Sequence, residues 1–180
     1  MENTSHLLSS GFISCIHAQS LSALAAVQST GRLASSVLID HPGTYRRRHV
    51  IIKNSLHLPP PAEDVPRLVQ LLCEHLNTSW LNMDPVDIAS TVLWRINWIH
   101  PFRDGNGRTA RAATRHVIAR CYKLNIGTEF DQRIVANRTA YYHALRSEDD
   151  NQGNSGEIQL PGTPLYTFMR EIITKQINQL

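Results

Sequence analysis

The sequence predicts an all-α, mainly helical domain that carries one small β-hairpin. Apolar residues recur at the i, i+3, i+4, i+7 spacing of a buried helix face over most of the chain. Proline and short polar capping residues stand where the predicted helices begin and end. A single β-branched run, Val50-Ile51-Ile52, interrupts this helical pattern and predicts the hairpin.

Length and composition favour one globular domain. The chain has 180 residues, of which 42% are hydrophobic. That is enough to bury a sizeable core, so we expect a single domain over residues 1–180, with its core at about 12–175 and a short N-terminal tail. The formal net charge of +3 is too small to indicate a nucleic-acid partner by itself.

Several functional classes find no support in the sequence. Three scattered cysteines, Cys15, Cys73 and Cys121, give neither a disulfide framework nor a zinc spacing, and they fit a reducing compartment. The nine histidines include no HExxH pair. No apolar run approaches the roughly 18 residues of a membrane span, and MENTSHLLSSGF lacks the pattern of a secretory signal. We expect a cytoplasmic protein, or one delivered into a host cytosol.

The apolar pattern predicts six helices. The clearest has its buried face at Val65, Leu68, Val69, Leu72, Cys73 and Leu76. The next starts at Pro85, with Asp84 as N-cap, and stops before Pro101, because a residue that precedes proline disfavours the helical region. The remaining predicted helices cover about 12–27, from 106 or 108 to 124, about 131–146, and 164 to about 177.

Two segments do not follow the helical pattern. Residues 45–58 read as the hairpin, and the polar stretch 147–163 reads as a loop. Arg46-Arg47-Arg48 is the densest basic cluster. It fits a solvated strand face better than a phosphate or nucleic-acid patch.

The stretch HPFRDGNGR, residues 100–108, contains the parts of a phosphate-binding site. Gly105 and Gly107 allow several backbone N–H groups to turn toward one point just before a helix. The helix start adds unpaired N–H groups and the positive end of its dipole. Arg108 and Arg111 share a face of the first turn and can both reach an anion.

Two further side chains supply candidates for chemistry. Asp104 lies beside the cradle, where a lone carboxylate next to phosphates suits Mg²⁺. His100 stands at the preceding helix end, where a neutral imidazole can take a proton from a hydroxyl. Together these parts describe transfer of a phosphate-containing group to a hydroxyl. The same residues also fit a purely structural tight loop with Phe102 as a core plug.

The ordered set from His100 to Arg108 resembles the signature of the Fic (Fido) family, His-Pro-Phe-x-(Asp/Glu)-Gly-Asn-(Gly/Lys)-Arg, and matches it completely. The resemblance covers about residues 12–175. GTYRRRHVIIKNSLHLPPPAEDV is similar to the family's flap and the entry to its next helix. LNMDPVDIASTVLWRINWIHPF and NRTAYYHAL are similar to the helix that delivers the motif histidine and to a later helix with paired tyrosines.

The resemblance implies a helical domain that transfers AMP from ATP to a Tyr, Thr or Ser hydroxyl of a target protein. It implies that His100 is the general base and that Asp104 holds Mg²⁺. The implied nucleotide-binding set is Phe102, Gly105, Asn106, Gly107, Arg108, Arg111, Tyr142 and Leu145. Tyr142 and Leu145 would line the adenine site, although two apolar residues at this spacing also fit a core. The flap residues Val50, Ile51 and Ile52 would add a strand to an extended target segment.

Three departures from the family pattern leave alternatives open. Gly107, in place of Lys, argues against the Doc-like branch, which phosphorylates its target. Asp149 stands one turn after Leu145, where similar proteins often place an adenine-contacting Asn. The family's inhibitory sequence, (Ser/Thr)-x-x-x-Glu-(Gly/Asn), has no full match, because Ile172 follows Glu171 in the one stretch with the right spacing.

Inhibition by a separate small partner, as in toxin–antitoxin pairs, therefore stays open, as does an unrestrained domain or a fragment. Phosphoryl, uridylyl or phosphocholine transfer on the same scaffold is the first alternative function. A non-catalytic nucleotide-binding interaction module is the second, and direct nucleic-acid binding ranks last.

Overall fold

The chain folds into seven α-helices over the residues that the computed structural model describes, which are 6–28, 41–53, 55–152 and 161–179. No strand is present within these ranges. The helices are α1 (Ser10–Gln28), α2 (Val65–Ser79), α3 (Pro85–Ile99), α4 (Asn106–Tyr122), α5 (Glu129–Ala136), α6 (Arg138–Gln152) and α7 (Thr163–Ile177).

Helix α3 is the centre of the fold. It packs against α2, α4, α6 and α7, and nearly its whole length is buried. Asp84 caps its start as predicted, because its carboxylate accepts the Val86 N–H at 2.7 Å, a bond worth about 1 kcal/mol. Pro85 occupies the first turn, where the missing N–H costs nothing.

Small side chains bring α4 close to α3. Ala110 and Ala113 are fully buried on α4. The close approach fixes the distance between the end of α3, which carries His100, and the start of α4, which carries the glycine loop.

The predicted helix at 131–146 is wrong, because the chain forms two helices there. Asn137 separates α5 from α6 in a non-helical conformation, and its side-chain amide donates to the Arg133 carbonyl at 2.8 Å. Asparagine competes in this way with the backbone for hydrogen bonds, and so it favours a helix end over a helix interior.

The predicted loop at 147–163 is partly wrong, because α6 continues to Gln152. The extra turn is held from inside, since the Trp94 indole donates to Asp149 at 2.9 Å and Glu148 is buried. Residues 153–160 of that predicted loop lie outside the described residues, and α7 starts at Thr163. At the other end the core begins earlier than expected, because Leu7 and Leu8 are buried.

The hairpin predicted at 45–58 is not found among the described residues of that segment. The described residues of this segment have no regular secondary structure, and the Ser55 N–H donates to the Ile52 carbonyl at 3.2 Å. Ile51 is 89% exposed and Leu56 is also exposed, so neither packs on a facing strand. A two-stranded ribbon without such packing is marginal in water. We call residues 48–60 the flap segment.

Candidate active site

The residues of the HPFRDGNGR stretch form one turn between α3 and α4. His100 ends α3 in the left-handed conformation, with φ 50° and ψ 56°, and its N–H donates to the Ile96 carbonyl at 3.1 Å. Pro101 then prevents the helix from continuing. Gly105, with φ 79°, makes a second left-handed step immediately before α4, which glycine adopts without a Cβ penalty.

Asn106 fastens this loop from inside. Its side-chain oxygen accepts the Phe102 N–H at 2.8 Å, and its amide donates to the Phe102 carbonyl at 2.7 Å. Phe102 is fully buried and stacks on the His17 ring, with the ring centroids 3.7 Å apart and the planes 3° apart. Phe102 therefore supports the loop from the core side, as the core-plug interpretation expects. The side-chain amide of Asn106 is used by its hydrogen bonds to the loop.

His17, on α1, is a loop contact that the sequence reasoning missed. Its Nδ1 accepts the Gly43 N–H at 2.9 Å, so Nε2 carries the proton and donates to the Asp104 carbonyl at 3.0 Å. Burial lowers the pKa of His17, which keeps the ring neutral and this donor–acceptor pattern intact. A lone histidine on an apolar helix face gives no signal by which sequence reasoning can find it.

The two arginines of α4 lie over the two glycines. A Cβ at Gly105 would stand 3.4 Å from Arg108 Nη2, and one at Gly107 would stand 3.4 Å from Arg111 Nη1. The Nε atoms of both arginines are buried without a hydrogen-bond partner. Buried polar atoms are usually paired, so two orphaned guanidinium nitrogens at a glycine loop fit an anion that would accept from them.

Asp104 is the exposed carboxylate of the loop. Its side chain is 80% exposed and forms an ion pair with Arg108 at 3.2 Å. Among the described residues, no group of three or more His, Cys, Asp or Glu side chains could hold a metal ion. A single exposed carboxylate fits Mg²⁺ only where phosphates and waters complete the shell, which is the usual arrangement at nucleotide sites.

His100 is half-buried and lines a cavity of about 270 Å³. Its Nδ1 lies 3.2 Å from the Asn97 carbonyl, which can only accept, so Nδ1 carries the proton and Nε2 keeps its lone pair. The pKa of His100 is lowered to about 4, chiefly by burial and also by the Arg46 and His57 charges, while the Asn97 hydrogen bond and the Asp104 charge oppose the shift. The ring is therefore neutral at pH 7.

The same cavity brings together residues from distant parts of the chain. Tyr142 and Leu145, predicted to share a wall, both line it, and Tyr142 is 48% exposed, which excludes the alternative that it is core. Asp149 also lines it, one turn further along α6. The other lining side chains are Ile52, Lys53, Ser55, His57, Trp94, Asn97, Trp98, Arg138 and Arg146.

The three predicted flap residues are divided between two cavities. Ile52 lines the cavity of His100, whereas Val50 and Ile51 line a neighbouring groove of about 510 Å³. Trp98 borders both. The flap segment thus separates the His100 cavity from a second depression beside Pro59-Pro60-Pro61.

The basic cluster does not behave as the sequence suggested. Arg47 and Arg48 are exposed, but Arg46 is only 3% exposed and donates to four backbone carbonyls. Arg46 is therefore neither part of a solvated strand face nor of a phosphate patch. Glu171, at the spacing of an inhibitory glutamate, lies on the outside of α7 and pairs with Lys175 at 3.7 Å.

The turn combines a glycine loop at a helix start, two arginines whose Nε atoms are buried without a partner, and a neutral histidine, and such a set could bind a phosphate-containing ligand. The family model of the Fic/DOC family matches residues 8–118. The chain belongs to this family.

Curated relatives and solved structures agree with this assignment. The chain is 28% identical over 137 residues to "Protein adenylyltransferase Fic" of Drosophila erecta, a match that covers 76% of this chain and 24% of that protein. It is 30% identical over 142 residues to the protein of the same name from Nematostella vectensis, covering 77% of this chain and 30% of that protein. The chain thus matches less than a third of the length of these relatives.

Two solved structures share the fold. A Fic family protein from Desulfovibrio desulfuricans superposes with a TM-score of 0.65 at 22% identity, covering 95% of this chain and 46% of that one. A Fic domain containing signaling protein from Bacteroides thetaiotaomicron superposes with a TM-score of 0.68 at 20% identity, covering 98% of this chain and 63% of that one. In the described residues, no helix is long and apolar enough to cross a membrane.

We predict that Asn106→Ala destabilises the protein by about 2 kcal/mol, because it leaves the buried N–H and carbonyl of Phe102 without partners. Urea unfolding measures this. Asn125→Ala changes an exposed asparagine just beyond α4 and is expected to shift the free energy of unfolding by less than about 0.5 kcal/mol. Equal midpoints for the two variants would show that Asn106 does not fasten the loop.

Proposed function

We propose that this domain transfers AMP from ATP to a Tyr, Thr or Ser hydroxyl of a target protein, with Mg²⁺ bound at Asp104. The observation that carries the proposal is a neutral His100 in a cavity next to a glycine loop with two orphaned arginine nitrogens. The adenylyltransferase names of the matched relatives support the same activity.

His100 is the proposed general base. Its Nε2 lone pair is available because Nδ1–H is bound to the Asn97 carbonyl. In the proposed step Nε2 takes the proton from the target hydroxyl as that oxygen attacks the α-phosphorus of ATP, and pyrophosphate leaves. A pKa of about 4 makes the ring a weak base that is always in its reactive form near neutral pH.

The loop and α4 would hold the triphosphate. The backbone N–H groups at Gly105, Asn106 and Gly107 stand at the positive end of α4, and Arg108 and Arg111 would bind the outer phosphates and the pyrophosphate leaving group. Mg²⁺, when bound by Asp104 and phosphate oxygens, neutralises charge on the phosphates. Asp104 would first release Arg108, which then becomes free to bind phosphate.

The cavity beside His100 would receive the adenine ring of ATP. Tyr142 offers an aromatic face and Leu145 an apolar wall, and Lys53, Arg138 and Arg146 make the lining positive. The flap segment would seat the target, because Ile51 points into solvent and an extended target segment could add along this part of the chain. The predicted hairpin would then form only with the target as the pairing strand.

The remaining parts of the proposal concern context. The domain would form one unit over residues 1–180 and act in a cytosol, its own or a host's, which the free Cys15, Cys73 and Cys121 suit. Glu171 pairs with Lys175 on the outside of α7, so a separate antitoxin-like protein is one proposed source of inhibition, beside an unrestrained domain or a fragment. Nucleic acid has no place in this account.

The main alternative is another Fic-type transfer, of a phosphoryl, uridylyl or phosphocholine group. We test AMP transfer with purified protein, Mg²⁺ and a lysate, using ATP labelled at the α- or the γ-phosphate. We expect protein labelling from α-labelled ATP only, and at least a roughly 100-fold loss in His100→Ala because the base is gone.

The outcomes of the labelling experiment separate the hypotheses. Label from γ-labelled ATP alone would reject AMP transfer in favour of phosphorylation. Label from neither nucleotide, together with measurable ATP binding, would favour the non-catalytic module. Tyr142→Ala serves as a matched control. It removes the aromatic wall of the proposed adenine cavity and should raise KM for ATP more than it lowers kcat.

We predict that protonation of His100 does not lower kcat/KM between pH 7 and pH 5. The base works when neutral, so activity is present above its pKa of about 4 and is lost as pH falls through that value. An unshifted histidine, with a pKa of about 6.5, would lose more than 90% of its neutral form by pH 5. Initial rates over this range, at saturating Mg²⁺ and at ATP concentrations well below KM, decide between the two.

Unfolding must be measured alongside the pH profile. The pKa values of His100 and His17 are lowered in the folded state, so below about pH 6.5 the unfolded chain binds more protons than the folded one. The free energy of unfolding therefore decreases as the pH is lowered below about 6.5. Rates are therefore compared only where the protein stays folded. A tenfold drop in kcat/KM between pH 7 and pH 5 in folded protein would contradict a neutral, buried base.

A further inference from the structure

Arg46 is a buried guanidinium whose hydrogen bonds all go to the backbone. Its Nε donates to the His100 carbonyl at 2.8 Å, and Nη2 donates to the Ile99 carbonyl at 3.3 Å. Its own backbone N–H donates to the Pro101 carbonyl at 2.9 Å. Three consecutive carbonyls, at 99, 100 and 101, are therefore bound by one residue of a distant segment.

These carbonyls need such a partner. No N–H group of the helix donates to its last carbonyls, and these carbonyls form the negative end of the helix dipole. At the end of α3, Ile99 and Pro101 are buried and His100 is half-buried, and Arg46 itself is only 3% exposed. A permanently charged fork that donates in several directions satisfies them, where a neutral side chain cannot.

His100 has a backbone conformation that depends on its surroundings. A non-glycine residue with φ 50° is uncommon and persists only when neighbouring contacts hold it. Arg46 binds the carbonyls of Ile99 and His100, which belong to the peptide groups before and after the His100 Cα. These bonds therefore fix the direction in which the Cα–Cβ bond of His100 leaves the chain.

The same guanidinium also holds the flap segment. Nη1 donates to the Arg48 carbonyl at 3.2 Å and Nη2 to the Pro60 carbonyl at 2.6 Å, and these residues are the two ends of residues 48–60. One side chain thus sets the spacing between the histidine turn and both ends of the segment that would seat the target.

We propose that Arg46 is the positioning residue for His100: it holds the imidazole at the cavity and keeps the flap segment in register with it. The inference rests on the proposed function, because it assigns Arg46 a role in the reaction of His100. Arg46 touches neither nucleotide nor target in this account and acts only through the backbone carbonyls that it binds.

The charge of Arg46 gives the proposal a second observable. Arg46 and His57 lower the pKa of His100, in addition to burial, while the Asn97 hydrogen bond and Asp104 raise it. The remaining charged side chains on the cavity are Lys53, Arg138, Arg146 and Asp149. Loss of the Arg46 charge should therefore raise the His100 pKa from about 4 toward its usual value.

The kinetic test compares Arg46→Gln and Arg46→Lys with Arg47→Gln, which removes an exposed charge one residue away. We expect kcat for label transfer to fall roughly 10- to 100-fold in Arg46→Gln, because the base is misplaced by a fraction of an ångström. KM for ATP should change less than kcat, since the glycine loop and α4 that would hold the triphosphate are untouched and only the flap side of the cavity is affected. Arg47→Gln should match the wild type.

Arg46→Lys separates charge from geometry. Lysine keeps the positive charge but cannot donate in a fork to the end of α3 and to both ends of the flap segment. We expect it to keep the low pKa of His100 and still to lose kcat, with partial rescue relative to Arg46→Gln. Because lysine is the milder change, it carries the test if Arg46→Gln fails to fold, as judged by thermal unfolding.

A second readout does not require activity. Ring-nitrogen NMR of labelled histidines, with His100 assigned by its absence in His100→Ala, reports both pKa and tautomer. In the wild type we expect one tautomer, protonated at Nδ1, because the Asn97 carbonyl accepts there. In Arg46→Gln we expect mixed tautomers and a raised pKa.

The two readouts distinguish failure of the inference from failure of the proposed function. If the wild type labels no protein, AMP transfer is wrong, and the NMR comparison still decides whether Arg46 positions His100. If Arg46→Gln and Arg47→Gln show the same His100 tautomer, pKa and kcat, the positioning role is overturned. A change confined to KM for ATP would also overturn it.

Discussion

The left-handed turn at His100 is the constraint on which the site depends. The turn ends α3, points the chain back toward α4 and leaves three carbonyls, at 99–101, that the helix cannot satisfy. Arg46 satisfies them from one side, and Asn106 fastens the following loop from the other. The close packing of α3 against α4, in which Ala110 and Ala113 are fully buried, holds the two helix ends at a fixed distance.

The electrostatics of the site follow from this packing. Burial and the Arg46 charge keep His100 neutral, and the Asn97 carbonyl leaves its Nε2 free. Arg108 and Arg111 bring buried, unpaired Nε atoms to the glycine loop that follows His100. Such a site favours an anionic ligand and a hydroxyl that gives up its proton, which is the division of roles that phosphate-group transfer requires.

Local signals predicted much of this arrangement, and long-range contacts account for what they missed. Asp84 and Pro85 mark the start of α3 and Pro101 its end because capping and proline chemistry act within a few residues. The break at Asn137 depends on one side-chain bond, and the extra turn of α6 depends on a contact between Trp94 and Asp149, 55 residues apart. Arg46 looked like surface charge because its acceptors at 99–101 are more than 50 residues away.

The central claim is that the glycine loop, the two arginines and the His100 cavity form one nucleotide site. A crystal structure with Mg²⁺ and an ATP analogue that cannot be cleaved between the α- and β-phosphates tests it most directly. The account predicts phosphates on the N–H groups of Gly105–Gly107, within reach of Arg108 and Arg111, and the base against Tyr142 and Leu145. A triphosphate bound away from the loop, or a base outside the cavity, would contradict it.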